Sequence, residues 1–304
     1  MAIKDLRKKA AALCLAMLVF FTLPAVICAA TFIDEMGHRV TITENPGRIV
    51  SLAPNITETL FALGLDREIV GVTVFSDYPE AAGEKTKVGS FVNLSLEKIV
   101  ALSPDLVIAT ANGNRKKTIV KLEGMGIPVY VIRPAGFEDV FKTIVNIGKI
   151  TGKEDAAGML VDSLRQRVAR VHAIAGSVKK PRVFFQIGID PIVSVGRDTI
   201  HNRLITLAGG INILGDVAIK YPRISIEKVI MKRPDVIIIS SMKRGGKFTR
   251  EKDKWNVWND IPAVKSGRIY IIDSDLTDHF SPRIVDGLEE LVRVIYRERK
   301  NALQ

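Results

Sequence analysis

The chain has 304 residues, 47% of them apolar and 25% charged, with a formal charge of +11. These fractions belong to a folded globular protein and exclude large-scale disorder, and the length accommodates two substantial cores. The basic balance comes without clustered Lys and Arg interleaved with aromatics, which argues against nucleic acid as a partner.

Residues 1–30 read as a cleaved secretory signal peptide. KDLRKK (4–9) is basic, Ala10 to Ile27 is apolar with Pro24 near its end, and Cys28-Ala29-Ala30 offers small residues for cleavage. The expected fate is export, with a mature chain starting near Thr31. The bulky Ile27 disfavours a lipoprotein acylated on Cys28. Both cysteines, Cys14 and Cys28, fall in or beside this leader, so the mature chain has no disulfide to form and no thiolate. Losing the leader's four basic residues and one acidic residue leaves +8.

Residues 31–42 predict a hairpin turning at Met36-Gly37-His38. RIVSLA (48–53) predicts a strand, then a helix opening at Pro54-Asn55, with Asn55 and Glu58 spaced as a capping box and Gly64 as the stop. IVGVTVF (69–75) predicts a strand and 76–93 a long loop, a length that tends to carry function. A helix follows near 115–124 and a strand at 128–132. Thr151 and Glu154 form a second box opening a helix over 153–178, with Leu160, Leu164, Val168, Val171, Ile174 and Val178 on one stripe. Its length suits a stiff strut between lobes. The second half predicts strands at 182–188, 191–196 and 268–273, helices near 199–208 and 284–299, and loops at 217–225, 242–267 and 274–283. Alternating strands and helices predict mostly parallel sheets. The expected organisation is an N-terminal α/β lobe (31–150), a linking helix (151–180) and a C-terminal α/β lobe with a closing helix (181–304).

One stretch occurs twice. SLEKIVALSPDLVIAT (95–110) and SIEKVIMKRPDVIIIS (225–240) share Ser95/Ser225, Glu97/Glu227, Lys98/Lys228, Pro104/Pro234, Asp105/Asp235 and Ile108/Ile238. Each copy predicts a Ser-capped helix, a Pro-Asp turn and a buried strand, one per lobe. An acidic residue in a first turn suits the helix dipole, but that does not explain why both copies keep it.

With these residues in place, the chain resembles the periplasmic solute-binding proteins of ABC importers that hold a rigid helix between two lobes, and within them the cobalamin-binding branch of the cobalamin/ferric-siderophore family. RIVSLAPNITETLFALG (48–64), FSDYP (75–79), NLSLEKIVALSPDLVIA (93–109), RVFFQIGIDPIVSVG (182–196), YPRISIEKV (221–229) and SPRI (281–284) carry the resemblance by their order and spacing. It implies a ligand cleft between the lobes, little hinge motion, and delivery of cobalamin, a transported ligand rather than a cofactor, to the membrane subunits of an importer by a monomer. Matching positions imply Phe75, Phe91, Tyr221, Asp275 and Arg283 as ligand contacts, and Glu97 and Glu227 as permease-docking residues. Phe75, Phe91 and Tyr221 depart from the branch, where Tyr or Trp is usual at the first two and Trp at the third. From the residues alone, Phe75 and Phe91 read as readily as core, whereas Tyr221 sits in a polar loop.

Two other ligands keep the architecture: a ferric siderophore, with Arg115, Arg223 and Arg283 as candidate contacts, and heme, with Tyr221 or His279 as axial ligand. Direct metal binding is disfavoured, because His38, His172, His201 and His279 are scattered without ligand spacing. An enzyme reading lacks support, since no phosphate loop and no nucleophile elbow are present. A structural or adhesion module would not call for a cleft.

Overall fold

The computed structural model describes residues 29–175, 180–241 and 247–296. The expected signal peptide lies outside the described residues except for Ala29 and Ala30, which open strand β1. β1 (Ala29–Ile33) and β2 (Arg39–Thr43) form an antiparallel hairpin. Asp34 builds its turn by accepting from the backbone N–H of Met36 and His38. Glu35 then fastens the hairpin to the first lobe, accepting from the Arg133 N–H at 2.6 Å and the Thr143 hydroxyl at 2.9 Å.

The first lobe carries a parallel sheet in the order β4-β3-β5-β6, from β3 (Ile49–Ser51), β4 (Ile69–Gly71), β5 (Leu106–Thr110) and β6 (Val129–Ile132). Helices α1 (Pro54–Ala62), α2 (Glu80–Gly83), α3 (Leu96–Ala101), α4 (Lys116–Gly124) and α5 (Phe137–Ile150) connect and cover it. Every residue of β5 is buried, as expected of a parallel strand covered on both faces. α6 (Glu154–Ala175) leads to the second lobe. That lobe holds β7 (Arg182–Gly188), β8 (Val193–Ser194), α7 (Ile200–Leu207), β9 (Ile211–Asn212), α8 (Ile226–Lys232), β10 (Val236–Ser241), α9 (Lys247–Trp255), α10 (Pro262–Lys265), β11 (Ile269–Asp273), α11 (Asp275–Asp278) and α12 (Ile284–Ile295). Its sheet runs β11-β10-β7-β8, parallel except for the β7–β8 pair, and β9 also pairs with β7.

The duplicated stretch is a duplicated structure. Ser95 and Ser225 cap α3 and α8 by accepting from the N–H of Lys98 and Lys228. Both helices end on a left-handed residue before the Pro-Asp turn, Ser103 and Arg233, each at φ 44°. Asp105 then accepts from the N–H of Gly47 and Arg48, and Asp235 from the N–H of Arg182. In return the Arg48 side chain donates to the Leu102 carbonyl, and the Arg182 side chain to the matching Lys232 carbonyl. A cation on a helix's terminal carbonyls satisfies groups that have no intrahelical partner. The repeated Asp is therefore a clip between a strand start and a helix end.

Several expectations change. The strand expected over 69–75 stops at Gly71, because Val72 leaves the sheet to bridge Lys87. The loop expected over 242–267 contains α9 and α10. α9 is charged along most of its length, and its buried anchor Trp255 donates to the Gln186 side chain at 2.9 Å, a partner invisible to local pattern. α5 has no counterpart in the expected elements; Asp139 opens it by accepting from the Gly136 and Ala135 N–H groups. Neither expected capping box forms. Thr151 donates to the Ile147 carbonyl and so closes α5 instead of opening α6. Asn55 and Glu58 both turn away from their own backbone toward the other lobe.

The strut is packed along both flanks. Within α6, Ala157, Val161, Leu164 and Val171 are buried in a cluster that continues into the first lobe through Ile144 and Ile147 and into the second through Leu288 and Leu291. Val178 of the expected stripe lies outside the described residues. A Cβ added at Gly148 would meet the Ala157 Cβ at 2.5 Å, so α5 and α6 are in close contact. On the other flank Arg167 pairs with Asp286 at 2.5 Å and Glu289 at 2.6 Å. The lobes thus share one core along the strut and keep separate outer cores on their far sides.

Candidate functional site

A cavity of about 900 Å³ lies between the lobes, within the usual range for small-molecule sites. Its first-lobe wall comes from the carboxyl ends of the parallel strands. Pro54 and Asn55 follow β3, Phe75, Asp77 and Tyr78 follow β4, and Thr110 and Asn112 follow β5. Ser90, Phe91 and Val92 add the loop before α3. The second-lobe wall is Asp275, Asp278, His279, Phe280 and Arg283, the segment after β11. Open α/β sheets place ligands at such carboxyl ends.

Buried hydrogen bonds hold the first-lobe wall. Ser51, Thr57, Ser76 and Thr73 form a hydroxyl chain with steps of 2.8, 3.0 and 2.9 Å, tying α1 to the segment that carries Phe75, Asp77 and Tyr78. Lys87 donates to the carbonyls of Ser76 and Ala82, and burial lowers its pKa against the opposing charge of Asp77. Asn114 donates to the carbonyls of Leu52 and Phe91 and accepts from the Thr110 N–H, joining three wall segments. Gly89 (φ +123°) sits where a Cβ would meet the Asn93 carbonyl at 2.5 Å, which permits the tight turn presenting Phe91.

The second-lobe wall is bonded to the first lobe. Glu58 of α1, 5% exposed, accepts from Ser281 Oγ at 2.5 Å, His279 Nδ1 at 3.1 Å and Arg283 Nη1 at 3.4 Å. The Arg283 guanidinium lies 3.8 Å over the Tyr78 ring, a cation–π stack across the cleft. Among the described residues the lining is acidic on balance, with Asp77, Asp275 and Asp278 against Arg283 and His279. Burial raises the pKa of Asp275; His279 opposes the rise, while Asp273, Asp77 and Glu58 add to it.

Of the residues singled out from sequence, Phe75, Phe91, Asp275 and Arg283 line the cavity. Phe75 is 46% exposed, so it is not core, whereas Phe91 packs partly against the core while lining the cavity. Tyr221 is not among the lining residues. Its ring stands edge-on to His201, which bonds the lining residue Asp278 at 2.7 Å, so it bears on the cavity through two intermediaries. Burial and the Asp278 charge raise its pKa. Arg115 and Arg223 are exposed and off the lining, while His279 is on it. Glu97 and Glu227 are exposed on the first turns of α3 and α8, away from the cavity lining. Among the described residues no His/Cys/Asp/Glu group is placed to hold a metal ion.

Sequence reasoning missed Asp77, Tyr78, Asp278, Phe280 and Glu58. One signal was present for Glu58: a carboxylate in the middle of ITETLF, a helix otherwise apolar or hydroxylated.

The family model described as periplasmic binding protein matches residues 49–276, and the chain belongs to that family. It is similar to a substrate-binding lipoprotein of an ABC transporter from Bacillus subtilis, 33% identical over 88% of this chain and 85% of that one. The periplasmic vitamin B12 binding protein of Vibrio cholerae has a solved structure similar at a TM-score of 0.73 and 28% identity, over 84% of this chain and 99% of that one. A periplasmic heme-binding protein from Roseiflexus sp. RS-1 is similar at the same TM-score, identity and coverage. The two-lobe fold is theirs, and the family is one of binding proteins of ABC importers rather than enzymes.

Proposed function

We propose that, within this family, the chain captures cobalamin or a close corrinoid in the inter-lobe cavity and hands it to the membrane subunits of an ABC importer, acting in the periplasm as a monomer after cleavage of its leader. The observation that carries this reading is an inter-lobe cavity rimmed by flat rings (Phe75, Tyr78, Phe91 and Phe280) and by carboxylates (Asp77, Asp275 and Asp278). A corrin has broad apolar faces and an edge of neutral amides. Rings suit the faces, and carboxylates accept from amide N–H groups. The vitamin B12 binding relative supports the same ligand class.

Ferric siderophores and heme fit the lining less well. Arg115 and Arg223 are off it, so among the described residues Arg283 and His279 are its basic side chains, against three Asp residues. Heme brings two carboxylates, which such a lining repels. His279 nevertheless lines the cavity and a relative binds heme, so heme is the second reading.

The deciding experiment incubates purified protein with cyanocobalamin, and in parallel with hemin, followed by gel filtration and an absorbance spectrum. The expected result is a corrin spectrum co-eluting at one per chain. Hemin retained without cobalamin overturns the assignment and makes His279 the first residue to replace. Gly113→Ala tests the site itself. A Cβ there would fall 1.7 Å from Phe91 Cε1, so the ring must swing from its place. Cyanocobalamin affinity by titration is expected to drop about tenfold, with a modest fall in melting temperature because the ring also packs partly against the core.

A further inference from the structure

We propose that Glu58 is a positioning residue which holds the ligand-facing segment 279–283 across the cleft from the opposite lobe, and that the hold loosens when His279 loses its proton. The inference rests on the inter-lobe geometry and not on which ligand fills the cavity.

Glu58 sits on α1 between the core residues Ile56 and Leu60, a place where an unpaired carboxylate is costly. Its oxygens are occupied instead by Ser281, His279 and Arg283, residues more than 220 positions away in sequence and all on the second lobe. His279 and Arg283 line the cavity while Glu58 does not, so Glu58 acts on a ligand only through them. Arg283 is further pinned against Tyr78 of the first lobe, and Asn55, three residues before Glu58, donates to the Phe280 carbonyl at 3.5 Å. The carboxylate is thus the centre of a clasp between lobes already joined at their far edge by α6.

The clasp includes one histidine, the side chain whose unperturbed charge change falls between about pH 5 and 8. Facing His279 are Glu58 from α1 and, from α11, Asp275 (3.9 Å from Nε2) and Asp278. Asp77 bears on Asp275 from the loop after β4, His201 of α7 holds Asp278, and Arg283 shares Glu58 Oε1. Burial alone would lower the imidazole pKa. The hydrogen bond to Glu58 and the charges of Glu58, Asp275 and Asp278 together outweigh it, leaving the pKa raised. A raised histidine contributes stability that is complete below its unfolded pKa and lost as pH rises through the folded value. The clasp is therefore strongest in mild acid and weakens toward alkaline pH.

Hydrogen exchange read by mass spectrometry on ligand-free protein tests this, using peptides over 275–284 from about pH 5.5 to about pH 9, with rates corrected for intrinsic exchange. In the wild type, protection of this segment is expected to fall about tenfold with rising pH, while peptides from β5 and α5 hold steady. His279→Gln, which keeps a hydrogen-bonding side chain without the charge, should flatten the profile. Glu58→Gln should lower protection at acid pH and flatten the slope, and Ser281→Ala should lower protection but keep the slope. A wild-type slope surviving in His279→Gln overturns the proton dependence. Unchanged protection in both Glu58→Gln and Ser281→Ala overturns the positioning role. If Glu58→Gln does not fold, the other two variants decide.

Discussion

Reversing both tip charges, Glu97→Lys together with Glu227→Lys, is expected to abolish cobalamin uptake in cells that depend on this protein while leaving cobalamin binding by the purified protein unchanged. Each carboxylate is exposed in the first turn of a Ser-capped helix, one per lobe, on copies of the same local structure. Glu227 is held below the ordinary carboxylate range, first by a hydrogen bond from the Ser225 side chain, so it is charged at any pH the cell offers. Neither residue lines the cavity and neither helix depends on it for its cap, so fold and ligand affinity should survive. The proposed role is registry: two matched negative charges meeting basic pockets on the two membrane subunits. Reversal turns both attractions into repulsions, and such juxtapositions act chiefly on docking. Each single reversal should lower uptake by at least about tenfold. Uptake by the double variant at the wild-type rate would sink the docking role and leave the pair as helix-terminal charge.

Asn114→Ala is expected to lower stability by about 2–4 kcal/mol. The side chain is 7% exposed and makes bonds of 2.8 to 2.9 Å to the Thr110 N–H, the Leu52 carbonyl and the Phe91 carbonyl. Truncation leaves these backbone groups facing a dry gap. For a chain of this size that corresponds to a fall of roughly 5–15 °C in melting temperature, to be read by calorimetry. Asn114→Asp separates the contributions, since it keeps the acceptor for Thr110 and loses both donated bonds. Cobalamin affinity should fall in both variants, because the backbone presenting Phe91 is released. A shift below about 2 °C for the Ala variant would mean that water replaces the amide and that the three segments hold without it.

Some of the cleft was legible in advance and some was not, and the difference follows from how far each interaction reaches. Phe75, Phe91, Asp275 and Arg283 were legible as positions matching the resembled family, carried by the order of motifs along the chain. Tyr221 was a candidate on a position matching the resembled family and on its polar neighbours, which reveal exposure but not direction. The structure keeps it outside the lining, behind His201 and Asp278. The two capping boxes failed for a related reason. Thr151 and Glu154, like Asn55 and Glu58, have the spacing of a cap, but spacing records only which bond is possible. Thr151 found the end of the preceding helix, and Glu58 found three donors in the other lobe. α9 escaped notice because its one described apolar anchor, Trp255, gains a partner only when β7 lies beside it.

By itself the sequence determined the alternation of strands and helices, the doubled Ser-capped unit with its Pro-Asp turn, a long helix between the lobes, and the family. All of these rest on periods of two and 3.6 residues, on caps within four residues, or on the order of motifs along the chain. The tertiary structure alone decided that the lobes share a core along the strut, that Arg283 stacks on Tyr78, and that Glu58 bonds His279, Ser281 and Arg283 of the other lobe. Those contacts join residues about two hundred positions apart. Only when α1 and the segment after β11 are brought together does a buried carboxylate acquire the donors that make it stable.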